Sequence, residues 1–158
     1  MKKRLYLYGI LVFAVFLQTY AMKYLGIFPD VILLVVVFTG IFSGVSEGAI
    51  LGLVAGFLRG SFSPSTLGVD IFLFPAIGAV SSLLSRLFYR QNPTVQMFTA
   101  LVAFFLVVFV HTVYLNNLSG NEVSVVAMLL GSWKQLLLTI ITVPFMFAGL
   151  RAVLGFKE

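Results

Sequence analysis

The sequence predicts an all-α integral membrane protein whose six transmembrane helices form one bundle. Of its 158 residues, 61% are hydrophobic and only 9% are charged, and the mean hydropathy is +1.12. Soluble domains have an apolar share of about 45 to 50% and a charged share of about 25%. The apolar residues also fall into segments of the length that crosses a bilayer. We therefore expect a single polytopic membrane domain over residues 1–158, with no separate soluble domain.

The first two spans are predicted from their flanking residues. Three basic residues precede the first apolar segment, and no cleavage pattern occurs before Lys23, so this segment is interpreted as an uncleaved helix. Asp30 is placed to cap the second helix. As one helix, residues 31–58 would be about 42 Å long, whereas the hydrocarbon core is about 30 Å thick. We therefore expect a break between Ser43 and Gly48.

The later spans are separated by polar loops and by the turn at Asn92 and Pro93. Trp133 and Lys134 interrupt the last apolar stretch, so its first part is assigned to the membrane interface or to a re-entrant turn. The predicted spans are 5–22, 28–44, 47–62, 67–88, 94–115 and 135–154, with 123–132 as the interfacial or re-entrant segment.

The basic residues predict the orientation. With six crossings and the N-terminus inside, seven of them lie at cytoplasmic ends and three lie outside, in agreement with the positive-inside rule. We therefore expect a multi-pass protein of the cytoplasmic (inner) membrane with both termini in the cytoplasm. The inner set is Lys2, Lys3, Arg4, Arg86, Arg90, Arg151 and Lys157, and the outer set is Lys23, Arg59 and Lys134.

Glycines recur at every fourth position through the second and third predicted helices. A helix aligns such residues into a stripe without side chains, and small residues let membrane helices approach closely. Two interpretations remain open: the stripe packs helices within the chain, or it docks a partner helix. The glycines are Gly40, Gly44, Gly48, Gly52, Gly56 and Gly60.

Aromatic residues form a second candidate surface, on the first helix. Phe13, Phe16, Tyr20 and Tyr24 follow one another at spacings of three, four and four, which places them on one helical face. Exposure to lipid and contact with a partner both explain such a face.

The polar residues do not form a catalytic pattern. The chain has one histidine, five acidic residues and no cysteine, so we predict no enzyme activity, no cofactor and no metal site. His111 is predicted to bond a neighbouring helix. Asp70 is predicted to cap the fourth helix or to pair with Arg59, and Glu47 to lie in a solvated turn.

Residues 16–58, together with several later positions, resemble the MreD family of rod shape-determining proteins. Beyond Leu101 the likeness extends only to apolar helices. The chain differs from the family pattern at Arg59, where an acid is usual, and at Asp70, where an amide is usual. The residues that carry the resemblance are Leu17, Gln18, Gly26, Pro29, Asp30, 32–37, Gly40, Gly44, Gly48, Gly52, Gly56, Phe57, Leu67, Gly68, Gly78, 83–88, Arg90, Asn92 and Pro93.

The resemblance implies a non-enzymatic scaffold of the bacterial cell-elongation machinery. It implies a fold similar to the six-helix substrate-binding subunits of energy-coupling-factor vitamin transporters. The implied partner is MreC, a single-pass membrane protein with a periplasmic domain. Through MreC the scaffold would help to regulate peptidoglycan synthesis and rod cell shape, linked indirectly to the wall synthase and to actin-like filaments. Membrane lipids are further partners, nucleic acid is not expected, and a homodimer is left open.

A vitamin-transporter subunit is the alternative function. Such subunits usually carry two small residues four positions apart in the first helix, for docking to their energising module. Here Gly9 is followed at that distance by Phe13, and Ala14 by Gln18. The docking pattern is therefore missing, which favours the scaffold.

Overall fold

The computed structural model describes residues 2–63, 66–87, 91–119 and 124–155. Within these ranges it has six α-helices, so the six-helix prediction is confirmed. Five of them are long and apolar enough to cross a membrane. Arg90, Lys157 and positions 120–123 of the predicted loop lie outside the described residues. The helices are α1 (Lys2–Leu25), α2 (Val31–Ser43), α3 (Val45–Phe62), α4 (Leu67–Leu87), α5 (Pro93–Ser119) and α6 (Val125–Leu154).

Helix α2 forms the centre of the bundle. It has 13 residues, which at 1.5 Å per residue is roughly 20 Å, too short to cross the bilayer core alone. Every residue from Ile32 to Ile41 is buried, and α2 contacts each of the other five helices. A helix that is apolar on all sides is expected in such a position, because none of its faces meets water. The core of the protein is therefore built around α2.

The predicted break between α2 and α3 lies at Gly44. This residue has φ of +99°, a backbone conformation that glycine adopts readily and other residues rarely do. The chain reverses there, so that a Cβ added to Gly48 would lie 2.8 Å from the Cα of Gly40. Helices α2 and α3 therefore form a tight hairpin whose backbones nearly touch.

Helix α6 differs from its prediction. Ser124 caps it by accepting a hydrogen bond from the Val126 N–H at 3.3 Å, and the helix then continues through Pro144 to Leu154. Of the two alternatives predicted for 123–132, the re-entrant turn is wrong over 125–132, because these residues are the first turns of α6, and a location at the membrane interface stays a prediction. Trp133 and Lys134 fit a helix surface, with the Lys134 Nζ 5.8 Å from the centre of the Trp133 ring. Residue 123 lies outside the described residues.

Candidate functional site

The glycine stripe packs against α4 within the chain. A Cβ added to Gly52 would lie 2.7 Å from the carbonyl carbon of Phe74, and one added to Gly56 would lie 2.7 Å from that of Asp70. Both distances are too short for a real contact, so only glycine allows this approach. The stripe members buried in this way are Gly40, Gly48, Gly52, Gly56 and Gly60.

Internal packing therefore occupies the stripe, which leaves no room there for a partner helix. For these five glycines, packing within the chain replaces the interpretation that they dock a partner helix. Gly44 is not part of the packed surface, because it forms the turn between α2 and α3 and a Cβ added there would have no neighbour within 4 Å.

The aromatic residues of α1 lie on the outer surface. Phe13, Phe16, Tyr20 and Tyr24 are each exposed over more than half of their surface. The rings of Tyr20 and Tyr24 stack with centroids 6.0 Å apart, and Phe16 meets the edge of Phe62 at 6.4 Å. The opposite face of α1, through Leu7, Leu11, Ala14, Val15 and Gln18, is buried in the core. We refer to Phe13, Phe16, Tyr20 and Tyr24 as the aromatic face.

Two polar side chains complete the N-terminus of α2. The first amides of a helix have no partner in the helix itself. The carboxylate of Asp30 accepts from the Leu33 N–H at 3.1 Å, and the amide oxygen of Gln18 accepts from the Ile32 N–H at 3.1 Å. Gln18 also donates to Asp30 at 3.3 Å, and the Asp30 N–H donates to the Thr139 hydroxyl at 2.9 Å. The buried start of α2 is thus connected to α1 and α6.

Arg59 in the last turn of α3 pairs with Asp30. Its Nη1 donates to Asp30 Oδ2 at 2.7 Å, and its guanidinium carbon lies 5.2 Å from the centre of the Phe74 ring. Both charges suit their helix ends, because a carboxylate is favoured at a helix N-terminus and a cation at a C-terminus. The predicted pairing of Arg59 with Asp70 is wrong, since Arg59 contacts Asp30 instead.

Asp70 is paired with His111 of α5. Its carboxylate is fully buried in the first turn of α4, and its Oδ1 lies 2.9 Å from His111 Nε2 without a well-aligned hydrogen bond from the described residues. Asp70 Oδ2 accepts from the Thr66 hydroxyl at 3.1 Å, and His111 Nδ1 lies 2.9 Å from the Val107 carbonyl. His111 therefore joins α5 to α4, the interhelical contact that its sequence position suggests.

Glu47 lies at the opposite end of the bundle. It is in the first turn of α3 and forms an ion pair with Arg4 of α1, whose side chain is exposed. Its carboxylate is thus partnered, whereas the sequence predicted a solvated turn.

Asp30, Arg59, Asp70 and His111 meet at one end of the bundle, with Gln18, Thr66 and Thr139 around them. We call these seven residues the polar cluster. Sequence reasoning did not assign a role to Gln18 or Thr139. The signal for Gln18 was its position at the end of the buried stripe of α1, where a polar residue needs a partner.

Two adjoining cavities lie at this end of the bundle, and the smaller one, here called the inner cavity, borders the polar cluster. The inner cavity has a volume of about 150 Å³ and is lined by Asp30, Arg59, Phe104, Val107, Val108, His111, Met128, Ser132 and Gln135. The outer cavity has a volume of about 390 Å³ and is lined by Met22, Gly26, Ile27, Gly131, Ser132, Trp133, Lys134 and Gln135. Ser132 and Gln135 are common to both. Across the part of the chain that the structure describes, no three His, Cys, Asp or Glu side chains are grouped as metal ligands.

The comparisons with known proteins point to one family. No curated protein and no solved structure matches the chain, so the likeness to energy-coupling-factor subunits stays a prediction. The family model described as rod shape-determining protein MreD matches residues 3–153. The match covers all six helices except Lys2 at the start of α1 and Leu154 at the end of α6, and it includes the part beyond Leu101. This multi-pass membrane protein therefore belongs to the MreD family of rod shape-determining proteins.

Proposed function

We propose that this protein is a non-enzymatic scaffold that holds MreC in the inner membrane and thereby helps to regulate peptidoglycan synthesis. Membership of the MreD family gives it a role in rod shape determination. The finer part of the proposal, contact with the transmembrane helix of MreC, depends on which surfaces of the bundle remain open to another helix.

The aromatic face of α1 is the observation that supports the proposal. The glycine stripe is covered by α4, whereas the aromatic face is open along the helix. Rings that recur at spacings of three and four match the contact pattern of one helix laid along another. Aromatic side chains are enriched in protein interfaces and supply much of their binding energy. We therefore propose this face as the contact surface for the MreC helix.

The proposed orientation is compatible with that contact. With both termini in the cytoplasm, Tyr20 and Tyr24 lie near the outer membrane–water interface, where tyrosine is favoured. An MreC helix along α1 would then leave the membrane beside them and continue into its periplasmic domain.

Co-purification of MreC from native membranes tests the proposal. The test variant carries Phe13→Ala and Tyr20→Ala, which remove two exposed rings one above the other. The matched control carries Ile141→Ala and Phe145→Ala on α6, which are exposed to a similar degree. We expect at least tenfold less MreC to co-purify with each molecule of the test variant than with the unmodified protein, because aromatic side chains supply much of the binding energy of interfaces.

Expression and thermal unfolding of both variants must equal those of the unmodified protein, since neither pair of side chains lies in the core. Equal MreC recovery with the test variant would contradict the aromatic face as the contact. Equal loss with the control would show that the effect is not specific to α1.

A further inference from the structure

Arg59 has more hydrogen-bond donors than the protein uses. A guanidinium carries five N–H donors, and within the described residues Arg59 makes one hydrogen bond, to Asp30. Its side chain is 24% exposed, so bulk water reaches only part of it. Among the described residues, the one buried side-chain polar atom without a hydrogen bond is Asp70 Oδ1, so the unused Arg59 donors are not sealed from their surroundings. They are available to a group in the inner cavity, which Arg59 lines.

The other polar groups of the inner cavity also offer donors. The Ser132 hydroxyl and the Gln135 amide line it, and neither has a hydrogen bond to any part of the chain that the structure describes. The carboxylate of Asp30 already accepts from Arg59, Gln18 and the Leu33 N–H. The hydrogen-bonding groups without a partner in this cavity are thus mainly donors, so the site fits a ligand group that is rich in acceptor oxygens. The volume of about 150 Å³ would hold roughly five waters, or one oxyanion with water.

The outer cavity adjoins the inner one. Ser132 and Gln135 line both cavities. Lys134 lines the outer cavity beside the Trp133 ring, and it pairs with no carboxylate among residues 2–63, 66–87, 91–119 and 124–155. Met22, Ile27 and Trp133 supply apolar walls. An unpaired lysine, apolar walls and an adjoining set of donors suit an amphiphile with an anionic head.

The site lies near the ends of α1 and α3, where the headgroup region is expected beside membrane helices. Arg59 lies three residues before the end of α3, a distance of about 5 Å along the helix. The outer cavity is reached at the end of α1 and the adjoining turn, beside Gly26 and Ile27. A lipid lying against the bundle would bring its phosphate to this level.

We propose that the two cavities form a binding site for the phosphate-bearing headgroup of an anionic phospholipid. Lys134 and Gln135 contact the headgroup, and Arg59 completes the set of donors from within. This site lies apart from the aromatic face, and it does not depend on the proposed MreC contact.

Lipid retention by the purified protein tests this site. The protein is exchanged into nanodiscs or mixed micelles that contain equal amounts of phosphatidylglycerol and phosphatidylcholine, and retained lipids are counted by native mass spectrometry. We expect at least a fivefold preference for phosphatidylglycerol. Lys134→Gln and Gln135→Leu should each remove most of that preference, and neither substitution disturbs the Arg59–Asp30 pair.

Lys23→Gln is the matched control, because Lys23 is an exposed cation in the last turn of α1 that lines neither cavity. It should keep the preference. Equal loss with Lys23→Gln, or an unchanged preference with Gln135→Leu, would overturn the site. Unfolding temperatures in phosphatidylcholine alone establish that each variant is folded.

Free phosphate is the other source of the same chemistry. In a separate arm, inorganic phosphate and glycerol phosphate are added to the protein in phosphatidylcholine. We expect no rise in the unfolding temperature at concentrations where phosphatidylglycerol produces one, because the apolar walls contribute only to lipid binding. Equal stabilisation by inorganic phosphate would overturn the assignment to a lipid.

Discussion

Arg59 Nη1 lies 2.7 Å from Asp30 Oδ2, and this contact joins the last turn of α3 to the N-cap residue of α2. Asp30 is almost completely buried, and its carboxylate also caps α2. The Asp30 carboxylate thus caps the start of the central helix and also pairs with the cation of α3, its neighbour in the hairpin. The loss of either charge leaves the other without its charged partner at a largely buried site.

The first prediction concerns this pair. Arg59→Gln should destabilise the bundle by about 3 to 5 kcal/mol, because it leaves a buried carboxylate uncompensated. Asp30→Asn keeps an effective helix cap, since asparagine caps as well as aspartate does, but it leaves Arg59 unpaired. The double variant should lose much less stability than the sum of the two single variants. Denaturant unfolding in micelles measures this cycle.

The pair of Arg4 with Glu47 is the control for that cycle. Arg4 is mostly exposed, so Arg4→Gln should cost well under about 1 kcal/mol. Strict additivity of the Asp30 and Arg59 variants would show that the contact does not stabilise the protein.

The second prediction concerns the packing of α3 on α4. Gly56→Ala places a methyl group against the Asp70 backbone, 2.7 Å from its carbonyl carbon, and the helices must separate to admit it. We expect a loss of about 1 to 3 kcal/mol, as for other overpacked cores. Gly9→Ala on α1 has no neighbour within 4 Å and serves as the control. Thermal unfolding that is equal for the two variants would contradict the close packing.

The third prediction separates strain from crowding. The Cβ added by Gly44→Ala would lie within 4 Å of no other atom, but the alanine would have to adopt φ of +99°, which residues with a side chain rarely do. We expect a loss of at least about 1 kcal/mol from backbone strain alone. Crosslinking between paired cysteines on α3 and α4 measures whether the contacts between these helices change. Gly44→Ala should reduce stability and leave these contacts unchanged, whereas Gly56→Ala should alter them.

The fourth prediction concerns orientation. The chain has no cysteine, so single substitutions report without background. Ser46→Cys lies at the α2–α3 turn and Ser124→Cys precedes α6, and both positions are exposed. In intact spheroplasts we expect a membrane-impermeant maleimide to label position 124 and not position 46. The reverse pattern would place both termini outside.

Much of the fold follows from local properties of the chain. The lengths of the apolar segments indicated how many helices there are, and the excess length of residues 31–58 indicated the break that lies at Gly44. The spacing of Phe13, Phe16, Tyr20 and Tyr24 indicated a shared face because helical geometry alone decides which residues point together. These features need no knowledge of how the helices pack.

The partners of the charged residues depend on packing, and the sequence did not determine them. Asp30 and Asp70 both lie at the same end of the bundle as Arg59, so proximity along the chain favoured Asp70. The hairpin of α2 and α3 instead brings Asp30 to Arg59, and α5 supplies His111 for Asp70. The continuous helix through Trp133 was missed for a related reason, since a cation beside an aromatic ring marks a helix surface as readily as a helix end.

Because the central helix α2 is short and enclosed, the geometry of the protein core does not depend on the thickness of the membrane. Hydrophobic mismatch acts on segments that face lipid, and these respond by tilting or by deforming the bilayer. Since α2 is enclosed by the other five helices, such adjustments fall on the peripheral helices alone. The Asp30 junction can therefore keep one geometry in bilayers of different lipid composition.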